Sequence, residues 1–483
     1  MTTQRDIEQG LRELGLSQGD SVLLHSSLVS VGELDGGVDA LINAFLAVIG
    51  DDGTLLAPCF AALGIVPETL KKRPGAIVSP CPVGTVVALG RDAEFFCRDH
   101  WVPDSPHAEN TPYGRLAERG GFICLFGVDQ DRNTFLHGIE ARLKLPYLGE
   151  VSEKFTTPDG VVREKTWHYY PGPHRDFIGL DRQFAAAGVM RRRRIGNAEV
   201  RLMSAAEVLR TGLEIGAAHP DFVLCDNPAC ADCTGQRAAL FSARLAGEAF
   251  KLSISSQLAG RYVDEIVETL GKLGIHYVEL DNIQGRPAAK FGPDNLADVC
   301  SRLRRGGLAV SALRLPALPD APEELWETTR KCSIDRLIVP LRSDAATADF
   351  IAAARSRHID CLVANRGLTS TRAAADYLAL GFSAPAFCFA PAEFAAVGEN
   401  PFLTSYRVGR FIRKTAQLDI ADGLWDGSPA LPGRGNGEVK ELISIFRCRN
   451  FSGFMVLGGG MNGGSGFTAA DHVKHFTYML DRM

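Results

Sequence analysis

Between residues 251 and 457 short apolar runs return at regular intervals: KLSISS, IHYVEL, LAVSALRL, DRLIVPL, IDCLVAN, APAFCFA, TAQLDIA and GFMVLGG. Most are followed by a polar segment of helix length, as at 260–273, 323–332, 370–380 and 438–449. A strand separated from the next by a helix pairs with it in parallel, because the crossover brings the chain back to the same end of the sheet. Eight such units in about 235 residues match the size and count of a closed (β/α)8 barrel.

The first half alternates with fewer and less regular units. These are SVLLHSS (21–27), a helix over 38–49, TLLAPCF (54–60), a helix near 85–89, FICLFGV (122–128) and a helical segment from Phe135. Turn residues and short strands over 160–170 and 198–203 predict an antiparallel extension covering one side. The expected fold class is therefore α/β, with one domain over 1–245 and the barrel over 250–483. The join, near 240–248, has no Gly/Pro/Ser linker.

A content of 46% hydrophobic and 23% charged residues supports large buried cores. The formal charge of −5 leaves no electrostatic footprint for nucleic acid, and the single basic run, RRRR at 191–194, reads as a solvated turn. The opening MTTQRDIEQGLRELG is an amphipathic helical pattern rather than a signal peptide, and no run of about 18 apolar residues occurs. The twelve cysteines are scattered, several of them in apolar strands, as buried thiols are in a reducing compartment. A soluble cytoplasmic protein is expected, with no membrane partner and with homo-oligomers left open.

The segment 127–147, GVDQDRNTFLHGIEARLKLPY, runs from the end of an apolar strand through an acidic loop into a helix. Ligand sites gather at such strand ends. His137 and Glu140 share one helix face, where the carboxylate can orient the imidazole for general-base work. A surface hydrogen bond between them is the plainer reading of the spacing alone. Nearer the start, LLHSSLVSVG places His25, Ser26 and Ser27 at a strand end before Gly36 and Gly37, a setting that suits an anionic ligand but equally suits a turn. His168 is spaced to share a cleft with His137, and His174 falls in a Gly/Pro turn.

The ordered series GDSVLLHSSLVSVG, GDDGTLLAPCF, ENTPYGRL and FICLFGVDQDRNTFLHGIEARLKLPY resembles the aminoglycoside 3-N-acetyltransferase family over about residues 10–240. That resemblance implies an acyltransferase using acetyl-CoA to acetylate an amine of a small molecule, an antibiotic or a biosynthetic intermediate. It implies His137 as general base, Glu140 as its partner and Thr134 nearby. It also implies Ser26, Ser27, Leu28, Ser79 and Thr85 as cofactor contacts. Where the family shows Arg-Ser-x-His-Pro-x-x-Ser, this chain has Val78-Ser79-Pro80-Cys81-Pro82-Val83-Gly84-Thr85, which leaves the acceptor open. Cys81 and Cys124 read as packing residues.

His219, Cys225, Cys230 and Cys233 offer a C-x4-C-x2-C run with an upstream imidazole. Tetrahedral zinc could take such a set, but the spacing is irregular and no second C-x2-C pair exists, so thiols in a tight Asp/Asn/Pro loop are the plainer reading and no metal is expected. The closing pattern LDIADG, LPGRGNGEVKELI and FSGFMVLGGG resembles the xylose isomerase-like TIM barrel family over about 250–483. Its metal-ligand positions appear here as Ala364, Ala390, Asp419 and Gly458, which implies a lost metal site; a rearranged site at Glu279, Asp281 and Asp419 is the contrary reading. Two further functions stay open. One is an acetyltransferase fold redirected to other secondary-metabolite chemistry, and the other is a barrel isomerase or lyase with the first half as scaffold.

Overall fold

Thr3 starts the first helix, α1 (Gln4–Leu14), through a reciprocal capping box with Asp6, and Gly15 in the left-handed region stops it. Ile7, Leu11 and Leu14 recur at helical spacing and are buried. The computed structural model describes residues 1–60, 64–169, 175–408, 410–460 and 466–483. By its internal packing the chain falls into two units, Met1–Leu240 and Phe241–Met483.

The first unit is built on β1 (Ser21–Ser26), β2 (Thr54–Pro58), β3 (Ile77–Val78), β4 (Val86–Gly90) and β5 (Phe122–Phe126), followed by β6 (Gly149–Thr156), β7 (Val162–Tyr169), β8 (Met190–Ile195) and β9 (Ala198–Ser204). The main sheet has the order β3-β4-β2-β1-β5-β9-β8. Only β2, β1 and β5 run parallel; the flanking strands are antiparallel, and β6 and β7 form a separate hairpin. Alternate residues of β1 enter different cores, Leu23 one and Val22 and Leu24 the other, so both sheet faces are covered. The helix α2 (Gly37–Ile49) packs on the second of these faces.

Two sequence expectations change here. The run near 85–89 is not a helix but β4, paired antiparallel with β2. Five residues with two adjacent β-branched valines, buried at Val86, Val87 and Ala88, fit a pleated interior better than a helix turn. The arginines at 191–194 are solvated, yet they lie in the edge strand β8 and not in a turn. Charges along an edge discourage pairing with another chain.

In the second unit all eight apolar runs are strands: β10 (Lys251–Ser255), β11 (Tyr277–Leu280), β12 (Ala309–Arg314), β13 (Arg336–Pro340), β14 (Asp360–Ala364), β15 (Phe387–Phe389), β16 (Thr415–Ile420) and β17 (Phe454–Leu457). They close into a parallel barrel in chain order, β17 pairing with β10. No helix among the described residues is long and apolar enough to cross a membrane.

Candidate active site

The parallel pairing of β1 with β5 sets Ser26 opposite Phe126, and the Ser27 N–H donates to the Phe126 carbonyl at 3.0 Å. Gly127 then turns with φ +70°, where a Cβ would stand 2.7 Å from that of Ser30. Only glycine fits both the angle and this close approach. The two strand ends open onto a cleft of about 430 Å³ lined by His25, Ser26, Ser27, Leu28, Arg132 and Thr134, among others. His25 Nε2 accepts the Thr134 N–H at 3.2 Å, which ties β1 to the short turn ahead of the next helix. Burial pushes the His25 imidazole down to about 3, so it is neutral at physiological pH.

That next helix is α3 (His137–Leu143). His137 Nδ1 lies 2.7 Å from Glu140 Oε2, while Glu140 Oε1 accepts from Tyr147 Oη at 2.9 Å and from Arg175 Nε at 3.0 Å. A carboxylate with 1% side-chain exposure needs such donors to stay charged. Burial alone would raise the Glu140 carboxyl, but the His137 contact, Arg175 and Tyr147 overcome it and hold it below its usual value. Burial likewise lowers His137, and its Glu140 partner only partly opposes this, because Arg175 already balances that charge. A proton on Nδ1, donated to the Glu140 carboxylate, leaves the ring's lone pair on Nε2.

Ala141 and Arg142, further along α3, line a second cleft with Asp104, Glu109 and His168. The segment 134–142 thus contributes to both clefts, with His137 between them along the chain. His107 and Phe177 rings stand 5.2 Å from that of His137. His107 is buried, and its Nε2 has no hydrogen-bond partner among the described residues.

Ser79 and Thr85 do not line either cleft. The buried Ser79 hydroxyl accepts the Val86 N–H at 2.9 Å and meets His100 Nδ1 at 2.8 Å, and Thr85 Oγ1 donates to the Cys81 carbonyl at 2.6 Å. Cys81 is 1% exposed and burial pushes its thiol up to about 11, which disfavours a nucleophilic thiolate. His174 lies outside the described residues. Sequence reasoning did not single out Arg132, His107 or Arg175; Arg175 is 35 positions from its carboxylate, and no local pattern links the two.

In the second unit, at the strand ends, Arg314 donates through Nε to Glu279 at 2.7 Å and through Nη2 to both oxygens of Asp419 at 2.9 Å. Gln417 bridges the same two carboxylates, at 2.6 and 2.9 Å. Asp281 is taken up by the Ser255 and Ser256 hydroxyls and the Gln257 N–H. The guanidinium occupies the space between the carboxylates that a cation would need.

The aminoglycoside 3-N-acetyltransferase family model matches residues 23–62 and 61–215, within the first unit. Aminoglycoside N(3)-acetyltransferase VIII of Streptomyces fradiae is 29% identical over 263 residues, covering 44% of this chain and 91% of the relative. Aminoglycoside N(3)-acetyltransferase IV of a Salmonella species is 31% identical over 222 residues, covering 42% and 83%. A crystal structure of aminoglycoside acetyltransferase AAC(3)-IVa aligns with a TM-score of 0.46 and 27% identity over 49% of this chain and 97% of that one. By its sequence likeness to the Salmonella enzyme and the family model, carried by less than half of its length, the chain belongs to the aminoglycoside 3-N-acetyltransferase family of N-acetyltransferase enzymes.

Proposed function

We propose that the first unit transfers an acetyl group from acetyl-CoA to an amine of a small molecule, with His137 as general base. The observation that carries this reading is the buried His137–Glu140 pair, held by Arg175, on the segment 134–142, whose first residue lines one cleft and whose last two line the other. Acetyl-CoA would supply the thioester carbonyl and a thiolate leaving group. Ser26, Ser27 and Leu28 at the strand end, with the Arg132 cation, suit its anionic portion, and Thr134 closes that cleft. His137 Nε2 takes the proton that the amine must lose to form the amide, while Glu140 keeps the ring oriented and stabilises the imidazolium. The second cleft is lined by Asp104 and Glu109 together with Arg142 and Lys144, with Glu109 3.7 Å from Arg142, and an aminoglycoside is one candidate acceptor.

The test is isothermal titration of the full chain with acetyl-CoA and coenzyme A, beside His137→Ala. Wild type is expected to bind and to acetylate members of an amine panel; the variant binds without turnover. No binding up to millimolar cofactor would sink the reading.

A further inference from the structure

Three thiols of the first unit take no part in this chemistry. Cys225 and Cys230 lie between α4 (Ala205–Ala218) and α5 (Ala231–Ala246), and Cys233 lies in the first turn of α5. Their sulfurs are all within 4.8 Å of one another, the only such group of three or more metal-ligand side chains among the described residues. Thiolates at about 2.3 Å from a tetrahedral zinc ion stand about 3.8 Å apart, so shifts of about 1 Å would close the group on a metal.

The surroundings suit thiolates. The Cys225 N–H donates to Cys233 Sγ at 3.3 Å, and Cys230 directly precedes α5, where the first N–H groups favour negative charge. Arg237, on α5, donates to the carbonyls of Cys225 at 2.7 Å and Leu224 at 3.0 Å, closing the loop and placing a cation beside it. A divalent ion with three thiolates carries one net negative charge, which the helix end favours; Arg237 is itself shared with Asp221 and Asp226 at 3.8 and 3.4 Å. His219 is exposed and stands outside the group of three.

We propose that Cys225, Cys230 and Cys233 bind one zinc ion that pins the 219–233 segment. The pinning has a consequence for the active site. The Val223 carbonyl accepts the Asp176 N–H at 2.9 Å, and the neighbouring Arg175 and Phe177 hold Glu140 and flank His137. This consequence rests on the acetyltransferase reading; metal binding itself does not.

Full-length protein, purified under reducing conditions from zinc-supplemented medium and dialysed, is expected to carry about one zinc per chain by plasma mass spectrometry. Cys230→Ser and Cys233→Ser each lose it, while Cys448→Ser, at an exposed position in the second unit, keeps it. Because the first two variants can fail to fold, cobalt exchange into wild type gives an independent readout, with thiolate-to-cobalt charge transfer and the visible bands of a tetrahedral ion expected. The proposal is overturned by protein without zinc, by zinc retained in both serine variants, by a cobalt spectrum lacking charge transfer, or by a disulfide among the three cysteines in fresh protein. Zinc present, with acetyl transfer unchanged after chelation, would overturn the pinning consequence alone.

Discussion

Each unit buries an ionic cluster around one arginine, and the two clusters balance differently. In the first unit Arg175 faces one carboxylate, Glu140, whose other oxygen orients an imidazole. In the second Arg314 is shared by two carboxylates, Glu279 and Asp419, both fully buried. Burial, with Asp419 beside it, pushes Glu279 up to about 7 against the pull of Arg314. In the first cluster one guanidinium meets one carboxylate, which also holds the His137 ring; in the second, one guanidinium is divided between two acids.

The largest expected difference is catalytic. His137→Ala should lower kcat by about 10²–10⁴-fold with acetyl-CoA affinity unchanged in calorimetry. Arg314→Leu should leave transfer unchanged in protein that remains folded, and loss of transfer there would break the comparison. Stability comes next. Glu140→Ala removes the carboxylate opposite a buried guanidinium and should cost about 3–5 kcal/mol in urea unfolding. Asp419→Asn should cost less, because Glu279 stays on Arg314.

The buried histidines, His472 of the second unit among them, and the buried Glu279 give the pH dependence opposite signs. His25 and His100, pushed by burial to about 3 and about 4, contribute stability present above the ordinary imidazole value of 6.5 and lost as pH falls toward those folded values. Thermal melts of the first unit should therefore weaken below pH 6.5. The kcat/KM profile should keep its acid limb below 6.5 as well, because His137 is lowered. Glu279 acts oppositely: its contribution is present below the ordinary carboxyl value of 4.5 and lost as pH rises through about 7, so Glu279→Gln should remove that component from the melts. The smallest effects separate positioning from packing. Ser79→Ala should cost about 1–3 kcal/mol by stranding buried partners, with KM for acetyl-CoA unchanged. Ser27→Ala should raise that KM and leave Tm unchanged.

The eight barrel runs were legible because each is a short apolar segment bounded by turns and helices. The 137/140 spacing was legible as one shared helix face, but the surface hydrogen bond expected there is a buried one, and residues 26–28 were legible only as a strand end, because Arg132 and Thr134, which line the same cleft, come from a distant part of the chain. The run at 85–89 misled because four consecutive apolar residues satisfy either period, and only their pairing with β2 chose between them. Ser79 illustrates the same limit. A serine in a cofactor-facing motif and a serine holding a buried histidine look alike until His100 is placed beside it.

What the sequence determined by itself was local: helix starts and stops, strand runs, and the residue types available at each strand end. These depend on hydrogen bonds and periodicities spanning about ten residues or fewer. Tertiary structure alone decided which charges meet. Arg175 reaches Glu140 across 35 positions, and Arg314 reaches Asp419 across 105. Such pairs form only after loop closure has been offset by burial of apolar surface, so no window along the chain contains them.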